Sequence, residues 1–161
     1  MKYYDEIAIG YNELHENEQE AKFKLIKKHL DIKKDDIILD VGFGTGLMSE
    51  FFKNRIVGLE PSKKMLKQAK KDRRDADYVQ GAAEYMPFGD RAFDCVICVT
   101  ALHNFEYPEK ALLEIMRVGK GFGAITVLKK AEKAHELKSL VKEMFSIRLE
   151  IQEEKDTIYL F

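Results

Sequence analysis

An open, mostly parallel α/β sheet wound on both faces is the fold class this sequence of 161 residues predicts, and three observations predict it. Short apolar runs alternate with segments of helical period along most of the chain. The first apolar run enters a glycine loop, Ile37-Ile-Leu-Asp-Val-Gly-Phe-Gly-Thr-Gly46, which reads as strand, tight turn and helix start. The last two runs, Arg148 to Gln152 and Thr157 to Phe161, flank the polar turn Glu153-Glu-Lys-Asp156 and close the chain with an antiparallel hairpin.

The elements follow in order. Tyr3 to Tyr11 reads as a short helix or ordered turn, and Asn12 to Leu30 as an amphipathic helix carrying Leu14, Ala21, Leu25 and Leu30. Residues 1–34 thus form an N-terminal helical cap on a core of residues 35–161, in one domain. Strand one is Ile37 to Val41, and Gly46 to Lys53 is a helix. Strand two, Arg55 to Glu60, leads through Pro61 and a capping Ser62 into a helix with Met65, Leu66 and Ala69 inward. Asp77 to Gln80 is strand three. Phe93 to Thr100 is strand four, apolar throughout as a strand buried on both faces should be. Pro108 starts a helix that buries Ala111, Leu112, Ile115 and Met116, and Gly121-Phe-Gly123 turns into strand five, Ala124 to Leu128. The helix Ala131 to Ser146 shows the cleanest stripe: Ala134, Leu137, Leu140, Val141, Met144 and Phe145.

Composition narrows the class. The chain is 45% hydrophobic and 34% charged with 3 Pro, which is ordinary for a globular protein. A formal net charge of -1 gives no general drive toward nucleic acid or an anionic membrane. Lys63, Lys64, Lys67, Lys70, Lys71, Arg73 and Arg74 crowd one region, but without interleaved aromatics they read as a solvated helix face. No apolar run reaches bilayer length and no signal core follows Lys2, so a soluble cytoplasmic protein is expected. Cys95 and Cys98 point to opposite faces of one strand and read as buried thiols, neither a disulfide nor a metal pair; no metal is expected. Abundant Lys and Glu with scarce Asn and Gln hint at life at high temperature.

Three ligands compete for the glycine loop. A P-loop needs Lys-Ser/Thr after its last glycine, and here Leu47-Met48 follows. A dinucleotide loop needs Gly-x-Gly-x-x-Gly, and here the third glycine comes one residue early, which disfavours a nicotinamide cofactor. The third reading fits more residues. Leu39-Asp-Val-Gly-Phe-Gly-Thr-Gly46 resembles motif I of the class I S-adenosylmethionine-dependent methyltransferases. A zwitterionic amino-acid end needs a carboxylate for its ammonium, here Asp40, and bare amides for its carboxylate, here from Gly42, Phe43, Gly44, Thr45 and Gly46. Glu60, at the end of strand two, stands where such folds place an acid that accepts from both ribose hydroxyls, with Pro61, Ser62 and Met65 following.

The resemblance runs through nearly the whole chain in order. Gln80-Gly-Ala-Ala-Glu-Tyr-Met-Pro-Phe88 is similar to the Gly-Asp-Ala-Glu-x-Leu-Pro-Phe signature of the type-11 branch that includes quinone-biosynthesis methyltransferases. Ala82 replaces the acid that meets the adenine amino group, leaving the Ala83 amide to meet the ring, with Glu84 beside it. Phe93-Asp-Cys-Val-Ile-Cys-Val-Thr-Ala-Leu-His-Asn104 resembles strand four and its loop, so Thr100 and Ala101 are expected against the cofactor. Arg117-Val-Gly-Lys-Gly-Phe-Gly123 resembles the family's Arg-Val-Leu-Lys-Pro-Gly-Gly turn without its Pro, and Ala8-x-x-Tyr11-Asn12 resembles its cofactor-covering N-terminal segment. The resemblance implies a Rossmann-like sheet of order 3-2-1-4-5-7-6 with the last strand antiparallel. It also implies S-adenosyl-L-methionine as cofactor, with S-adenosyl-L-homocysteine as product.

Methyl transfer asks the protein mainly to position and desolvate a nucleophile, and asks for a base only where that nucleophile must lose a proton. His103 has the near-neutral intrinsic pKa for such a base and follows strand four at the ligand-binding edge; a loop-cap role is the alternative. Tyr4 and Tyr11 are candidates to close over the sulfonium or the acceptor, or else N-terminal packing residues. His15, His29 and His135 fall on polar helix faces. No Asn/Asp-Pro-Pro-Tyr/Phe follows strand four and neither cysteine follows a Pro, which disfavours methylation of planar amino groups and of pyrimidine C5. A small-molecule acceptor attacked through O, N, S or C is therefore expected, with a homodimer or partner subunit free to complete an open cleft. A cofactor-binding subunit or sensor without catalysis is one alternative, and an RNA or protein methyltransferase another.

Overall fold

The computed structural model describes residues 11–72 and 75–161, with side chains from residue 17 onward. Helix α1 (Tyr11–His29) precedes strand β1 (Ile37–Val41), a 3-10 turn (Leu47–Glu50), β2 (Arg55–Glu60) and α2 (Lys63–Lys71). Strand β3 (Asp77–Gln80), β4 (Cys95–Cys98) and a second 3-10 turn (Leu102–Asn104) follow. Helix α3 (Pro108–Val118), β5 (Gly123–Leu128), α4 (Ala134–Met144), β6 (Leu149–Gln152) and β7 (Asp156–Leu160) complete the order. The seven strands form one sheet in the order β3-β2-β1-β4-β5-β7-β6, parallel except for β7, which runs antiparallel to both neighbours. This is the expected topology.

Period-two alternation splits the core into two layers. Leu39, Val41, Val96, Cys98, Ile125 and Val127 pack with Leu112 and Ile115 of α3 and Leu137 and Val141 of α4. Ile38, Ile56, Cys95, Ile97, Ala124 and Ile158 pack with Phe23 and Ile26 of α1 and with Leu66 and Ala69 of α2. Cys95 and Cys98 thus lie on opposite faces as expected, both free, and burial pushes both thiols up out of the reactive range. Ser62 caps α2, its hydroxyl accepting from the Met65 amide at 3.2 Å.

Four boundaries differ from expectation. The Gly46–Lys53 helix is only the 3-10 turn Leu47–Glu50. Eight residues of α-helix cover about 12 Å, whereas a five-residue strand runs about 17 Å, so a turn followed by extended chain returns better to the start of β2. The Ser49 hydroxyl also donates to the Gly46 carbonyl at 2.8 Å, which competes with helical bonding. β4 is confined to Cys95–Cys98, because Phe93 bridges Gly119 and Thr100 leaves the strand at φ +53°. Met116 lies on the exposed side of α3, and α4 is shorter at both ends than the expected helix Ala131 to Ser146. Asp156, read as a turn residue, is the first residue of β7 and fully buried.

Candidate functional site

The parallel strands all end at one edge of the sheet, and the candidate residues lie there. Asp40 stands one residue before the end of β1, Glu60 and Gln80 end β2 and β3, Val99 follows β4, and Gly42 begins the turn above them. The Gly42 amide donates to the Leu59 carbonyl at 2.9 Å, binding the loop to β2. Gly42 has φ +82°, and a Cβ there would fall 2.5 Å from the Ala101 Cβ. A side chain at this position would fill the space between the glycine loop and the loop after β4, so the bare backbone keeps a cleft open. Gly58 serves differently: its missing Cβ admits the Phe43 ring, which then stands edge-on to Tyr78 at 5.7 Å.

Two hollows meet at Gly42, Gly44 and Val99. The smaller, about 40 Å³, lies under α1 between Gln19, Phe23, Asp40, Phe43, Thr45, Leu47 and Met48. Alternation along β1 puts Asp40 on the α1 side, in the wall of this hollow. Burial, with Glu60 adding its charge, pushes the Asp40 carboxyl up to about 8. The larger hollow, about 350 Å³, is lined by Glu60, Pro61, Ser62, Met65, Gly81, Ala82, Ala83, Glu84, Thr100, Ala101 and their neighbours. Glu60 is 8% exposed; Oε2 accepts from the Gly44 amide at 3.0 Å and Oε1 from the Ser62 amide at 2.9 Å. One carboxylate thus aligns the glycine loop with the α2 N-terminus.

The cofactor-binding candidates are therefore brought together except for Gly46, while His103, a catalytic candidate, lines neither hollow. Gly46 is absent from both linings and sits behind the loop, where its amide donates to the Phe43 carbonyl at 2.9 Å. Tyr4 lies outside the described residues, and of Tyr11 only the backbone, at the start of α1, is described. Glu84 lines the larger hollow, but its Oε1 accepts from the Glu106 and Tyr107 amides at 2.9 and 3.3 Å, tying its loop to the loop before α3. Arg117 clamps the same region from α3, donating to the Phe88 and Met86 carbonyls at 2.8 and 3.1 Å. His29 and His135 are exposed, as expected.

Past the junction lies a polar cluster. Lys22 of α1 is fully buried; its Nζ pairs with Asp156 and donates to Thr100 Oγ1 at 3.0 Å and Glu18 Oε1 at 2.8 Å. Thr100, held at its positive φ, donates its amide to Thr126 Oγ1 at 2.8 Å and lies 3.1 Å from Asp156 Oδ2 through its hydroxyl. Burial pushes Glu18 up, but Lys155 and Lys22 outweigh it and bring the carboxyl down to about 2. His103 stands in the second 3-10 turn with Nδ1 buried and unbonded; burial lowers its pKa, Asp156 raises it and Lys22 lowers it. Sequence reading missed Gln19, Lys22 and Asp156. The signal was present: Gln19, Lys22, Phe23, Ile26 and Leu30 have one-face helical spacing, and Asp156 alternates with Ile158 and Leu160.

These residues suit a particular ligand shape. The small hollow has an acid in its wall beside the apolar Phe23, Leu47 and Met48, fitting a short amino-acid chain with a thioether. The larger has the Glu60 carboxylate on the sheet edge, able to accept from a pair of hydroxyls, and Leu59, Met65 and Ala83 as apolar walls for a flat ring. No group of His, Cys, Asp and Glu that could hold a metal ion occurs among the described residues, and none of the described helices is long and apolar enough to cross a membrane.

Residues 39–127, more than half the chain, match the family described as methyltransferase domain. A demethylmenaquinone methyltransferase of Paenarthrobacter aurescens is 30% identical over 150 residues, covering 89% of this chain and 58% of that protein. One of Renibacterium salmoninarum is 41% identical over 93 residues, covering 56% and 39%. The chain therefore spans roughly half the length of these relatives. Among solved structures, an S-adenosylmethionine-dependent methyltransferase of Aquifex aeolicus superposes with a TM-score of 0.71 at 19% identity, covering 86% of this chain and 87% of that one. A Haloferax volcanii methyltransferase in complex with the Trm112 methyltransferase activator gives a TM-score of 0.71 at 23% identity, covering 84% and 66%. At such identities the structures speak for the fold.

Proposed function

We propose, because the chain belongs to the class I S-adenosylmethionine-dependent methyltransferases of the type-11 branch, that it transfers a methyl group to a small-molecule acceptor in the cytoplasm. The observation that carries this reading is the pair of hollows joined across the glycine loop, with Asp40 in the wall of one and Glu60 in that of the other. Their junction at Gly42, Gly44 and Val99 suits a ligand with a cationic amino-acid end and a ribose.

S-adenosylmethionine, when bound, supplies an electrophilic methyl group on a sulfonium leaving group. Asp40 would hold the ammonium, and Glu60 the ribose hydroxyls through oxygens that already accept from Gly44 and Ser62. Ala82 is exposed and offers no acceptor, so Ala83 would meet the ring through its backbone. Gln19 and Phe23 of α1 line the small hollow and would shield the bound amino-acid end from that side. Thr100 and Asn104 border the side from which an acceptor would enter, with His103 between them in sequence, and a partner subunit covering that side would complete it. Names of the curated relatives, demethylmenaquinone methyltransferases among them, support a small acceptor.

A thermal-shift panel tests the reading. A ligand at a hundred times its dissociation constant adds about 2.7 kcal/mol to stability. S-adenosylhomocysteine should raise Tm while NADH, NADPH and ATP leave it unchanged, and Glu60→Ala should lose most of the shift. Stabilisation by a nicotinamide nucleotide alone would refute the assignment.

A further inference from the structure

Two buried polar atoms near the acceptor side have no partner. Asp156 is completely buried; its Oδ2 is taken by Lys22 and Thr100, and its Oδ1 bonds to nothing. His103 Nδ1 is likewise buried and unbonded, while among the described residues no hydrogen bond reaches its Nε2, which is open. A buried acceptor left without a donor costs about 1–3 kcal/mol, so such atoms call for an explanation. Each supplies what the other lacks: a carboxylate oxygen accepts, and an imidazole Nδ1–H donates. The two groups also lie within electrostatic range of each other.

Topology makes this meeting possible. Because β7 runs against its neighbours, its first residue, Asp156, pairs with Leu128 at the end of β5 and so reaches the edge where the parallel strands finish. Thr100, Ala101, Asn104 and Phe105 line the larger hollow on both sides of His103 in sequence. Thr100, with a φ seldom adopted by a β-branched residue, joins the two, since its hydroxyl contacts both Lys22 and Asp156.

We propose that Asp156 is a positioning residue, held by Lys22, that fixes the His103 imidazole as the Nδ1–H tautomer and leaves Nε2 as the proton acceptor for the transfer reaction. A turn of the ring, or one bridging water, joins Nδ1–H to Asp156 Oδ1. Asp156, paired with Lys22, accepts from Nδ1–H, and the proton taken from the acceptor is held on Nε2. In that step an acceptor O–H or C–H bond breaks and its proton goes to Nε2. The freed electron pair forms the bond to the methyl carbon, and the S–CH3 electrons stay on sulfur. The charged groups acting on His103 are Asp156 from β7 and Lys22 from α1. β5 and α4, which also pack against its turn, bring Thr126 and the apolar Leu137 and Val141. This inference rests on the methyltransferase reading for the step itself, but not for the geometry.

Nitrogen NMR of the imidazoles separates the two. The chain has four histidines, so His103→Gln assigns the signal by its loss. At pH 7.5 the parent should show His103 with Nδ1 protonated and Nε2 bare. The double variant Lys22→Met/Asp156→Leu removes the ion pair without leaving a lone buried charge. It should return His103 to the Nε2–H form that free imidazole favours, with the S-adenosylhomocysteine thermal shift retained. An Nε2–H tautomer in the parent overturns the proposal by itself, even if the double variant fails to fold. An unchanged Nδ1–H form in the double variant overturns it as well. A parent that shows the Nδ1–H form but no S-adenosylhomocysteine shift upholds the pairing and removes the cofactor reading instead.

Discussion

Cofactor binding should release a proton from Asp40. In the ligand-free protein its carboxyl, pushed up to about 8 by burial and by Glu60, is about nine-tenths protonated at pH 7. An ammonium group placed in the small hollow selects the ionised tenth, which lowers the apparent affinity about tenfold, or about 1.4 kcal/mol. Affinity for S-adenosylhomocysteine should therefore rise about fiftyfold between pH 6 and pH 8 and level off above. Isothermal titration at pH 7 in phosphate and in Tris should give heats that differ by the buffers' ionisation enthalpies times about 0.9 proton released. Without ligand the sign reverses: a folded pKa raised above the unfolded value stabilises the fold below about pH 4, and that contribution is lost as pH rises toward 8. Asp40→Asn should abolish both dependences. Equal heats in the two buffers, with flat affinity from pH 6 to 8, would refute the assignment of Asp40 to the ammonium.

Gly42→Ala combines a positive φ with a Cβ 2.5 Å from that of Ala101, so it should cost about 1–3 kcal/mol in urea denaturation and abolish the S-adenosylhomocysteine shift. Lys22→Ala leaves the buried Asp156 without its counter-ion and should cost about 3–5 kcal/mol in the same measurement, far more than Lys24→Ala on the exposed side of α1. Glu84→Ala strips the Glu106 and Tyr107 amides of their acceptor and should cost about 1–3 kcal/mol, whereas Glu84→Gln, which keeps an oxygen there, should lose less than half of that.

Sheet order, the glycine loop and the place of Glu60 at the end of β2 were legible because each is written locally: apolar runs mark strands, and glycines after the first of them mark the turn that Glu60 meets. The short turn Leu47–Glu50 was not, since Leu47, Met48, Phe51 and Phe52 repeat as a helix would; the distance back to β2 decides there. Lys22 and Asp156 were illegible for another reason. Lysines at 24, 27 and 28 and acids at 153 and 154 surround them, so composition averages to a solvated surface, and only the pairing of α1 with β7 shows which charge turns inward. A charge at a core-phase position is the readable part of such a pair.

The α1–β7 contact also orders events in time. Glu18 and Lys155, which flank the buried pair, are 137 residues apart in sequence. During synthesis α1 emerges long before β7, and until that strand inserts, Lys22 has only Glu18, one turn away on its own helix, as counter-ion and no buried partner to draw it out of water. The roof of the small hollow thus settles only after the sheet has gained its antiparallel strand. A nascent chain can carry every glycine of the loop and still be unable to hold its ligand.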